Sequence, residues 1–193
     1  MLGGGWFGTY HARQLLKALR SGRLSSHRVL VVADWLEFLR AWLCDARPED
    51  HLVPAPLAPH LLWRWLAGEL GADPAEAPRG WDLPYERPGA GGELYLSAAA
   101  WTCPATCVEP AHCPALHAPR DWDLAKLIEA RARLWGLEPA VFRCRHLANG
   151  VGSIRVGDLL AARGGGQGMT DVLVATSSGC HAAVGVLSRR RSG

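Results

Sequence analysis

Two hydrophobic periods alternate along this chain. Tyr10 to Leu19 carries apolar side chains at helical spacing, with Gly22 as its stop. Arg28 to Asp34 follows, a run of apolar, mostly β-branched residues ending in an acid, which predicts a strand buried on both faces. The helical period resumes from Trp35 to Leu43. A short strand, His51 to Val53, runs into Pro54-Ala55-Pro56, and Pro59 opens a helix that ends near Gly68 or Gly71.

From Gly71 to Gly92, nine of 22 residues are Gly or Pro, the composition of a long loop. Glu93 to Ser97 predicts a strand. Asp123 is placed to cap a helix from Leu124 to Trp135 whose buried face carries Leu124, Leu127, Ile128, Leu134 and Trp135. Ala140 to His146 reads as a strand, and Asp158 to Arg163 as a short helix broken by the glycines from Gly164 to Gly168. Asp171 to Thr176 reads as a last buried strand before the apolar segment Ala182 to Leu187. Strands alternating with helices predict an α/β fold, a doubly wound, mostly parallel sheet with helices on both faces. One domain is expected over residues 1–187, with 71–122 as a Cys/Pro-rich loop excursion and 188–193 as a disordered basic tail.

Composition changes this picture little. Half the residues are apolar, a fifth are charged and the net charge is +3, ordinary globular values that do not indicate nucleic-acid binding. Arg189-Arg190-Arg191 reads as a solvated tail. No apolar run reaches the roughly 18 residues of a membrane span, and no signal-peptide pattern opens the chain, so the cytoplasm is the expected compartment. There, six cysteines point to metal or redox chemistry before structural disulfides. The nine tryptophans are scattered and read as packing residues.

The opening MLGGGWFGTY places Gly3, Gly5 and Gly8 in the spacing G-x-G-x-x-G ahead of an amphipathic segment. Asp34 ends the following strand, where a ribose-binding acid would stand. At these residues the chain resembles the Rossmann-type dinucleotide-binding superfamily. The combination with a cysteine-rich loop resembles uncharacterised bacterial proteins, a likeness that carries no activity. The Rossmann resemblance implies NAD(P) or FAD, with Gly3, Gly5 and Gly8 at the pyrophosphate and Asp34 at the ribose. It departs from the family in lacking nearly all of the first strand, which a start upstream of Met1 would supply. The competing reading makes Asp34 the N-cap of the Trp35 helix and leaves the glycines without a ligand.

The densest chemistry lies in WTCPATCVEPAHCPALH, residues 101–117, where Cys103, Cys107 and Cys113 stand within eleven residues. Pro104, Pro110 and Pro114 stiffen the loop, so little ordering entropy remains to be lost when sulfurs converge on a metal. The spacing is not a zinc-ribbon pair, and Cys-Pro steps recur in iron–sulfur loops, which favours an iron–sulfur cluster over zinc. Strand ends gather at one rim of an open sheet, and that rim brings Cys180 as fourth ligand, with His181, His146 and His117 as alternates. Cys44 and Cys144 read as structural thiols. Arg120-Asp121-Trp122 reads as an ion pair and lid, and Arg143 and Arg145 as solvated or paired.

Three functions compete. The first is a redox protein, an oxidoreductase or electron carrier, with a small-molecule or nucleotide ligand contacted by Ser177, Ser178 or His181 and a redox partner protein. The second is a zinc-stapled α/β interaction domain without redox activity. The third is a hydrolase or transferase with Cys180 as nucleophile and His181 or His146 as base.

Overall fold

The computed structural model describes residues 5–21, 31–54, 60–104, 107–148, 151–165 and 170–189, with the side chains of 5–8 and 148 excluded. The element order is α1 (Gly5–Arg20), α2 (Trp35–Asp45), β1 (His51–Leu52), α3 (Leu61–Leu70), β2 (Asp73–Ala75), β3 (Tyr85–Pro88), β4 (Leu94–Ser97), β5 (His112–Cys113) and β6 (Ala118–Pro119). It continues through α4 (Leu124–Leu134), β7 (Glu138–Arg143), β8 (Arg145–Ala148), β9 (Val151–Arg155), α5 (Val156–Gly165), β10 (Val172–Ser177) and β11 (His181–Ser188).

The main sheet runs β3-β4-β11-β10-β7, with β2 also pairing β11. Only β7 and β10 pair in parallel; every other ladder in it is antiparallel. A second sheet, β1-β9-β8, and the small β5-β6 hairpin complete the strands described. The expected doubly wound, mostly parallel Rossmann sheet is therefore incorrect. A central strand reads as continuously apolar whenever both its faces are covered, whichever way its neighbours run. The three residues Ser178-Gly179-Cys180 are a hairpin connection, and they turn β10 straight back into β11.

Alternation along β10 splits the core into two clusters. Val172 and Val174 join Leu39, Leu62, Trp65, Leu66 and Leu159 on one face. Leu173 and Ala175 join Trp81, Leu94, Leu96, Leu124 and Ile128 on the other. Trp63 lies against Gly185 of β11 and donates its indole N–H to the Val186 carbonyl at 3.0 Å. Helix α4 starts as expected, with Asp123 accepting from the Lys126 N–H, but Leu134 is 81% exposed rather than core. Trp135 instead packs edge-on against Trp81, ring centroids 4.7 Å apart. Part of the 71–92 stretch, read as loop, forms β2 and β3 on the main sheet.

At the amino terminus the expected strand-to-helix turn is replaced by helix: Gly5 and Gly8 lie in the first turn of α1, and Gly3 is outside the described residues. Residues 28–30 of the expected buried strand are likewise outside them. Val31 and Val32 are described, are not in a strand, and are 53% and 95% exposed. Asp34 is occupied as the N-cap of α2, its carboxylate accepting from the N–H groups of Leu36 and Glu37 at 2.9 and 3.1 Å. No helix among the described residues is long and apolar enough to cross a membrane. Residues 190–193 of the basic tail are outside the description, while the Arg189 N–H bonds Asp171 at 3.0 Å.

Candidate cysteine centre

Although the sheet is mixed, its antiparallel ladders flanking β11 make β4 run the same way as β10, and β7 is parallel to β10. These three strands therefore end at one edge. The register aligns Ser97 with His181, Ala182 with Ser177, and Ser177 with Arg143. Cys103 follows β4, Cys180 follows β10 and Cys144 follows β7. The rim expected of a parallel sheet exists here for a different topological reason.

The loop after β4 is laid across that edge. Ala98 N–H bonds the Cys180 carbonyl at 2.9 Å and Leu124 N–H bonds the Gly179 carbonyl at 2.9 Å, so both ends of the loop are tied to the β10–β11 turn. Within it, the β5–β6 hairpin turns through Pro114–His117, with His117 at φ 52°. Arg120 N–H closes back on the Ala111 carbonyl at 2.7 Å.

Cys103 lies within the electrostatic reach of the other three expected ligands. Burial pushes its thiol up, and the charges of Cys107, Cys180 and Cys113 each push it further in the same direction, while Trp101 works against them. Burial also raises the Cys180 thiol, opposed by hydrogen bonding from Arg120 and Trp122. Arg120 Nη1 stands 3.5 Å from Cys180 Sγ. Cys107 Sγ accepts the Glu109 backbone N–H at 3.3 Å.

The indole N–H groups of Trp101 and Trp122 are both buried and neither closes to a full hydrogen bond, although each favours the thiolate of the sulfur it approaches. Two orphaned donors facing sulfur suit thiolates better than thiols, because a thiolate is the stronger acceptor. Among the described residues, no three His, Cys, Asp or Glu side chains stand close enough to share a single metal ion.

Glu109 organises the rim, and sequence reasoning passed over it. Its carboxylate lies in the β10–β11 turn and accepts from Ser178 Oγ at 2.5 Å, Gly179 N–H at 2.7 Å and Cys180 N–H at 3.3 Å. Arg120 pairs with it at 3.5 Å. A Cβ on Gly179 would stand 2.5 Å from Arg120 Nη1 and 3.0 Å from Glu109 Oε2, so only glycine leaves room for both. The available signal was that Glu109 is the one acid between Trp101 and His117.

The alternates stand in different places. His146 lies on β8, exposed and opposite Gly152. His117 is exposed on the hairpin turn, while His181 starts β11 beside Cys180, its N–H on Ser178 Oγ at 3.1 Å and its pKa lowered by burial against the opposing charge of Glu109. Cys144, half-buried beside the rim, has its thiol pushed up to about 12, first by burial and then by the Glu109 charge. Cys44 is exposed on α2. Arg143 pairs with Asp123, as a paired arginine was expected to. Arg120 does form an ion pair, with Glu109 rather than Asp121. Cys180 as nucleophile is disfavoured, since its thiol is raised rather than activated.

No curated protein and no solved structure matches this chain. A family model, AF_1314_C, described as an uncharacterized protein, C-terminal domain, matches residues 58–190. That stretch includes the whole main sheet together with Cys103, Cys107, Cys113 and Cys180. The chain therefore belongs to the AF_1314_C family, of which it carries the C-terminal domain.

Proposed function

We propose that this chain is a redox protein holding an iron–sulfur cluster on Cys103, Cys107, Cys113 and Cys180. The observation that supports the reading is that three other thiols, one of them from a turn far along the chain, raise the pKa of the Cys103 thiol by their charge. An all-sulfur set of four is the donor chemistry of iron–sulfur clusters and of zinc. The sulfurs influence one another, yet no described trio closes to the spacing of one ion.

When bound, such a cluster supplies one-electron transfer. The chain's own residues prepare the place for it. The prolines and the Glu109 tie hold the loop rigid. Trp101, Trp122, Arg120 and the Glu109 N–H offer hydrogen bonds that favour thiolate sulfur, the lever by which a protein adjusts cluster potential.

Anaerobic purification with iron, sulfide and zinc analysis tests this. Brown protein with stoichiometric iron and sulfide is expected, with Cys107→Ala and Cys180→Ala losing metal equally and His146→Ala keeping it. Colourless protein with one zinc would overturn the cluster and leave a zinc-stapled interaction domain. Full retention in Cys180→Ala would remove that residue from the set.

A further inference from the structure

A second chemical cluster lies at the start of α3, among residues the cysteine centre does not use. A cleft of about 450 Å³ opens between the beginnings of α2 and α3, lined by Asp34, Trp35, Leu36, His60 and Arg64 among others. That volume falls in the range of small-molecule sites. Behind it sits Glu93, only 6% exposed.

The carboxylate of Glu93 is built in, not left over. It accepts from the Gly91 N–H at 2.9 Å and from the Tyr95 hydroxyl at 3.1 Å. A Cβ on Gly89 or Gly91 would run into its oxygens, so the glycine-rich loop is shaped around it. Burial alone would raise its pKa, but its hydrogen bonds and the nearby His60 bring the net shift below the ordinary value, and it stays ionised.

His60 Nδ1 lies 4.0 Å from Glu93 Oε1, is buried, and has no hydrogen-bond partner. A buried carboxylate facing one ring nitrogen selects the tautomer protonated there, which leaves Nε2 free to accept a proton or a hydrogen bond. Burial and the neighbouring Arg64 charge lower the His60 pKa against the opposing effect of Glu93, so the ring is neutral near pH 7. Arg64 makes no ion pair among the described residues and lines the same cleft. Asp34, across from it, keeps one carboxylate oxygen on the α2 cap and places an acceptor at the rim.

We propose that this cleft is a binding site for a small hydroxylated molecule bearing one phosphate or carboxylate group, the anionic group paired by Arg64 and a hydroxyl hydrogen donated to His60 Nε2 in the tautomer that Glu93 selects. Asp34 disfavours a second anionic group on the ligand and accepts a hydrogen bond from a hydroxyl or amino group of it. The site rests on no feature of the cysteine centre.

NMR of the full-length protein tests this, following the His60 ring and the Trp35 indole while inorganic phosphate or acetate is added, with chloride at equal ionic strength as control. Saturable shifts with phosphate, acetate or both, absent with chloride, are expected, and Arg64→Gln should weaken them roughly tenfold, as loss of one charge-assisted bond does. Nitrogen shifts of His60 in the wild type should report a single Nδ1–H tautomer, and Glu93→Gln should mix the tautomers. Shifts no different from chloride, or unchanged in Arg64→Gln, would overturn the site. Mixed tautomers in the wild type would overturn the role of Glu93 whether or not the Glu93 variant folds.

Discussion

Glu109 and Gly179, seventy residues apart, meet across a 2.7 Å hydrogen bond in which the Gly179 N–H donates to the Glu109 carboxylate. The same carboxylate takes Ser178 Oγ and Cys180 N–H, and faces Arg120. One side chain thus fastens the cysteine loop to the turn that carries the fourth cysteine.

Glu109→Gln keeps the shape and removes the charge. Weakening several charge-assisted bonds at once should lower stability by about 1–3 kcal/mol in urea denaturation. Loss of the charge should also relieve part of the upward push on the Cys180 thiol, readable as faster alkylation of the metal-free protein at fixed pH.

Alkaline pH should weaken the metal-free fold through Cys144, whose thiol is pushed from 9.0 to about 12. Between those values the unfolded chain has released a proton that the native chain keeps. Stability is therefore full below about pH 9 and falls by about 1.4 kcal/mol per pH unit above it. The raised thiols of Cys103 and Cys180 act in the same direction. Cys144→Ala should flatten the slope; an unchanged slope would show that Cys144 titrates normally.

Gly185→Ala should be costly. Its Cβ would stand 2.5 Å from the ring of buried Trp63, which is anchored by its bond to Val186 and cannot retreat. Overpacking of this kind costs about 1–3 kcal/mol, read as a lower denaturation midpoint with native tryptophan fluorescence perturbed.

Asp34→Ala should lower stability by about 1 kcal/mol, the ordinary value of an N-cap, while Asp34→Asn should stay close to wild type because the amide oxygen caps equally well. A large loss in the asparagine variant would indicate that the charge of Asp34, and not its capping geometry, matters to the fold.

What was legible in the sequence was local. Asp123 before an apolar helical period and Gly71 after one mark real helix ends, because capping depends on neighbours in the chain. That Cys103 and Cys180 follow strands ending at one edge was anticipated, and that much survives the error in strand direction, since β4, β7 and β10 still run together. The direction of β11 was not legible from burial, which is the same for parallel and antiparallel central strands. Its signal was the short Ser178–Cys180 connection. The opening glycines misled because a glycine-rich start followed by helical periodicity fits both a phosphate turn and the first turns of α1. Glu109, Trp101 and Trp122 act singly, with no periodicity to announce them.

The position of β11 between β4 and β10 gives the β10–β11 turn two tasks at once. The strand that joins the two sides of the main sheet also presents, through Ser178 to Cys180, the anchor for Glu109 and for both ends of the loop after β4. A change that shifts β11 in its slot therefore loosens that loop together with the sheet.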